Sequence, residues 1–153
     1  MTNQLVFAVA VLFLISAAAS TGFACSCATP IDQSDRELVE SEKLSADAVF
    51  IGRVVKIVKA RDRRGEPLID SYKAVFDVTE RWKGPRLRYM RVNFFVGCCL
   101  CDYPFAKGKE YLVYASGDGQ NLSASVCGRT KEATRTALKT DRQYLGASKR
   151  TVR

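Results

Sequence analysis

The chain has no histidine in 153 residues. That removes imidazole acid–base chemistry, the Ser-His-Asp and Cys-His nucleophiles, and the mixed Cys/His zinc sites. No Gly-rich phosphate loop appears; Gly117-Asp118-Gly119 reads as a turn. The paired CxxC spacing common in zinc sites is missing as well, since the cysteines stand as CxC and CCxC. Carboxylates are present but scattered, mostly beside Lys or Arg, and Asp77 and Glu80 read as solvated positions on a strand. The expectation is therefore a protein that is not an enzyme and carries no cofactor. Repeats, low-complexity tracts and long linkers are also lacking, which argues for one domain.

A different absence marks the N-terminus. Residues 1–24 contain no Asp, Glu, Lys or Arg, and "LVFAVAVLFLISAAA" from Leu5 to Ala19 is almost wholly apolar. The run has the length of a secretory h-region and is short for a membrane span of about 20 residues. "GFA" then places Gly22 and Ala24 at the small-residue positions of a cleavage site. Residues 1–24 are read as a signal peptide cut after Ala24, so that Cys25 opens a mature chain of about 129 residues. An uncleaved anchor and a lipid-modified Cys25 are the alternatives. The expected location is secreted or periplasmic. There the six cysteines (Cys25, Cys27, Cys98, Cys99, Cys101 and Cys127) read as disulfide formers.

Beyond the leader, Ser34 precedes Glu37 at capping-box spacing, predicting a short helix over about Asp35 to Leu44. "ADAVFIGRVVKIVKA" reads as a strand with Val49, Ile51, Val55 and Ile57 as core candidates and Gly52 at a bulge or bend. In "SYKAVFDVTERWKG", Tyr72, Ala74, Phe76 and Val78 alternate with Lys73, Asp77 and Thr79. Trp82 follows as a core anchor. "LRYMRVNFF", "KEYLVYAS" and "NLSASV" complete five strands. Ala133, Ala137, Leu138, Tyr144 and Leu145 fall at helical spacing in the tail. A mainly β fold follows: a five-stranded OB-type Greek-key barrel with a short N-terminal helix and a C-terminal helix over residues 25–153, a sandwich being nearly as good on pattern alone.

The segments "CSC", "ADAVFIGRVV", "VFDVTERWKG", "CDYPFAKGKEYLVYA" and "SVCGRT" together resemble the netrin-like domain of the tissue inhibitors of metalloproteinases. The likeness is closest to small bacterial secreted members of that superfamily and runs from about Cys25 to Leu145. It implies an OB barrel and two disulfides, Cys25–Cys101 and Cys27–Cys127, each closing a loop worth about 4 kcal/mol in the chain-entropy treatment. It leaves Cys98 and Cys99 over, to bridge each other, pair between chains or reshuffle with Cys101.

The resemblance also implies a mechanism. An α-amine has a pKa near 8, so at neutral pH part of it carries a free lone pair. The amine and carbonyl of Cys25 would together chelate the zinc of a target protease in trans, occupying the position that a catalytic zinc keeps for water. Ser26 would enter the specificity pocket, Cys27 and Ala28 would extend the wedge, and Gly97, Cys98, Cys99, Leu100 and Cys101 would line it. A zinc metalloprotease is thus the expected partner and a monomer the expected state.

The second reading is a non-inhibitory secreted or envelope-associated binding module. A net charge of +8 favours an anionic surface or polysaccharide. Its cations gather as Arg81, Lys83, Arg86, Arg88 and Arg91, and as Arg129, Lys131, Arg135, Lys139 and Arg142 on the last helix. Nucleic acid is not expected, because half of the rings of Tyr89, Phe94 and Phe95 must face the core and an exported protein rarely meets it.

Overall fold

The computed structural model describes residues 25–27, 32–97, 101–119 and 121–150. The leader 1–24, and Ala28, Cys98, Cys99 and Leu100 of the expected contact surface, lie outside the described residues. The elements follow as α1 (Asp35–Ser45), β1 (Ala48–Arg61), β2 (Pro67–Lys83), β3 (Tyr89–Phe95), β4 (Glu110–Ala115), β5 (Leu122–Ser123), β6 (Lys131–Glu132), α2 (Arg135–Leu145) and β7 (Lys149–Arg150). The fold is mainly β. Antiparallel ladders join β1 to β2 and β4, β2 to β3 and β7, and β4 to β6, while β5 lies parallel to β3. The resulting mixed sheet is an open path, β5-β3-β2-β1-β4-β6. One further bridge, Ser116 to Ser123, joins the end of β4 to β5 through two N–H to oxygen bonds of 2.9 Å each.

Two apolar clusters sit on opposite faces of this sheet. Ala48, Phe50, Val54, Ala74, Phe76, Val78, Met90, Val92, Phe94, Phe105, Tyr111 and Val113 fill the inner one. Phe76 is its hub, meeting Phe50 edge-on at 5.3 Å and Phe105 at 5.0 Å between ring centroids. Such offset geometry lets each ring edge face the electron-rich face of its neighbour. The outer cluster packs Val49, Ile51, Leu112 and Tyr114 against Val39 of α1 and Leu138 and Leu145 of α2. The first half of β1 is consequently buried on both faces, which explains its unbroken apolar run.

That double burial corrects the expected core. Val49 and Ile51 are buried but belong to the helix side, whereas Phe50 and Val54 point inward. Val55 lies on the helix side beyond the helices' reach and is 39% exposed. The register slips between Val54 and Lys56, so Ile57 returns to the inner cluster. The expected irregularity at Gly52 is present as a register shift, and a Cβ there would stand 3.1 Å from the Asp77 carbonyl oxygen. Trp82 is half-buried against the outer cluster, its indole N–H donating to the Gly146 carbonyl at 2.8 Å. The tail helix starts at Arg135, so Arg129 and Lys131 are not on it. Instead 131–132 form β6, because pairing with β4 satisfies backbone groups that would otherwise be left at a sheet edge.

Candidate functional site

The edge that carries the N-terminal residues is built from two short antiparallel segments. Tyr103 N–H donates to Ala124 O at 2.7 Å, Val126 N–H to Cys101 O at 2.8 Å, and Asp102 bridges Ser125. Ser125 Oγ binds twice, donating to Cys101 O at 3.0 Å and accepting from Cys127 N–H at 3.1 Å. Cys101 and Cys127 are thereby held side by side. Cys25 bonds to Cys101 and Cys27 to Cys127, with Cα separations of 5.7 and 5.2 Å. These are the pairs that the resemblance implies. Ser26 between them is exposed, as is Cys27, while Cys25 is half-buried.

The approach to this edge from β3 is fixed as firmly. Phe95 N–H donates to Asp102 Oδ2 at 3.1 Å, and Val96 N–H to Asp70 O at 2.8 Å. Burial raises the Asp102 pKa above the ordinary carboxylate value, and the Phe95 N–H opposes that rise. Gly97 is exposed, and a Cβ on it would collide with the Phe95 ring unless that ring moved. Val96, next to Gly97, and Val126, next to Cys127, leave apolar surface open, at 53% and 39% exposure. Of the expected contact residues, Cys25, Ser26, Cys27 and Cys101 therefore belong to this one edge, and Gly97 follows the end of β3 that Phe95 N–H ties to Asp102. Asp102 and Ser125, which carry its hydrogen bonds, were not among them. The only sequence cue was their position beside cysteines.

The expected cation groups are broken up by pairing. Arg81 Nη1 donates to Gly84 O at 2.7 Å, and Lys83 Nζ to Lys43 O and Leu44 O at 3.1 and 2.8 Å. Arg142 grips Glu80 through bonds of 2.6 and 3.2 Å. Burial would raise the Glu80 pKa, but Arg142 and Ser148 hold it below its ordinary value. Arg129 and Lys131 converge on Asp141 at 3.0 and 2.7 Å, and Tyr114 Oη donates to the same carboxylate at 2.8 Å. Asp141 has no solvent exposure. Burial pushes its pKa up, yet the three donors outweigh it and the carboxyl sits below the ordinary range.

Among the described residues, no cluster of three or more His, Cys, Asp or Glu could hold a metal ion, and no helix is long and apolar enough to cross a membrane. No protein-family model matches the chain, and no curated protein matches it.

Proposed function

We propose that the protein is an exported inhibitor of zinc endopeptidases that acts through the amine and carbonyl of Cys25. One observation carries this reading: two disulfides one residue apart pin 25–27 to an exposed edge, leaving Ser26 outward between them. A chain end fixed beforehand loses little further ordering entropy on binding, so it can compete with water for a metal position. Val126, next to Cys127, adds exposed apolar surface beside the second anchor. The same reading takes the fold as an OB-type barrel of β1–β5. Its support is the Ser116–Ser123 bridge, which links the free side of β5 back toward β4.

The test is chemical and local. Mature protein beginning at Cys25 should slow a panel of zinc endopeptidases at near-stoichiometric amounts and leave a serine endopeptidase untouched. One extra residue before Cys25, or acetylation of its amine, should abolish inhibition with the circular dichroism spectrum unchanged. Equal inhibition by the extended protein would show that the amine is not the blocking group.

A further inference from the structure

The two helices cover the outer face of β4, the first half of β1 and the end of β2 around Glu80 to Lys83. Past them, the outer face of β1–β2–β3 has a regular composition. Residues directly opposite in an antiparallel ladder share a face. Val54–Phe76, Ile57–Ala74–Val92 and Tyr72–Phe94 are inward rungs, so Lys56–Val75–Arg91 and Val58–Lys73–Asn93 are outward ones. The next outward rung is Glu110–Arg53–Asp77–Tyr89. Arg88 joins it, pairing with Asp77 at 3.3 Å and lying over the Tyr89 ring at 5.1 Å. Five cations thus share this surface with two carboxylates, and both carboxylates lie in one end rung. The middle rungs hold only positive, amide and apolar side chains.

We propose that this face docks an acidic polysaccharide. Strands stand ~4.8 Å apart and same-face residues ~6.8 Å apart along each, so charges on a sheet form a fixed two-dimensional array suited to a stiff anionic chain. Val58 and Val75 between the cations offer low apolar contact to sugar rings. A nucleic acid would need several open aromatic rings for stacking. Here Phe94 is turned inward, and Tyr89, half-exposed with Arg88 over one face, is a single ring on these three rungs. Two disulfides fit an oxidising compartment such as the cell surface, where acidic polysaccharide is accessible. The docking does not depend on the inhibitor reading, since the face shares none of residues 25–27 or 101.

Dextran sulfate is the probe, with uncharged dextran, single-stranded DNA of equal charge and phosphatidylglycerol vesicles alongside, titrated into the mature chain at about 0.15 M salt. Dextran sulfate should bind and dextran should not. The double variant K56E/K73E should bind dextran sulfate about tenfold more weakly. R135E/K139E, which has the same net charge but alters α2, should change affinity less than about twofold. K56Q/K73Q guards against a folding artefact and should fall between wild type and K56E/K73E. Equal loss in both charge-reversed proteins would show that net charge alone binds, and would overturn the proposal. So would a lack of binding to dextran sulfate, or tighter binding to the DNA or the vesicles.

Discussion

Asp141 shows what one residue does in this molecule. Its carboxylate is fully buried and takes bonds from Tyr114 on β4, from Arg129, and from Lys131 on β6, so it ties α2 to the sheet. Asp141→Asn would leave two partly buried cations without a counter-charge, and we expect a loss of about 3 kcal/mol in urea unfolding. The pH dependence follows from the depressed pKa. A carboxyl held below its unfolded value near 3.9 stabilises the fold above that pH and ceases to as pH falls toward the folded-state value. The gap between wild type and Asp141→Asn should therefore narrow below about pH 4, and a gap constant down to pH 2 would contradict this account. A sequence cue for Asp141 existed: it stands three residues after Leu138 and four before Leu145, in register with the apolar stripe. Read by charge alone, Arg129 and Lys131 looked like surface cations, because a pairing across the fold leaves no local trace.

At the scale of elements, local chemistry was readable where it acts within a few residues. α1 begins where the capping box puts it: Ser34 Oγ accepts Glu37 N–H at 3.3 Å, and Ser34 N–H donates back to Glu37 Oε2 at 2.8 Å. Ser34→Ala should lower stability by about 1 kcal/mol, measurable as a lower urea midpoint at unchanged slope. The long strands were legible from alternation, as Ala74, Phe76 and Val78 on β2 show. β6 and β7 were not, since two polar residues carry no period and are extended only because a neighbouring strand offers partners. β5 came out shorter than the apolar pattern of 121–126 suggested, because 124–126 leave β3 to pair with 101–103. The slip after Val54 that turned Ile57 inward likewise depends on tertiary fit.

For the whole molecule, the disulfides matter most. They span separations of 76 and 100 residues, so each restricts most of the unfolded chain. Removing the longer one as Cys27→Ser/Cys127→Ser should cost about 4 kcal/mol, read as a lower denaturant midpoint with Cys25–Cys101 still formed. The same protein should inhibit poorly under the proposed function, because residue 27 would no longer be held to the edge. The cysteine positions and their family likeness were enough to bring 25, 27, 101 and 127 together. The Ser125 bond to Cys101 and the Asp102–Ser125 bridge that place the anchors were not readable, since they join segments more than twenty residues apart.

These separations also impose an order of events during biosynthesis. The segment 25–27 leaves the ribosome early, but its second anchor at 127 is made only when most of the chain exists. No oxidant can close that clasp sooner, whatever the rate of synthesis. Residues made early are thus locked late, and the placing of 25–27 waits on the synthesis of 101–127.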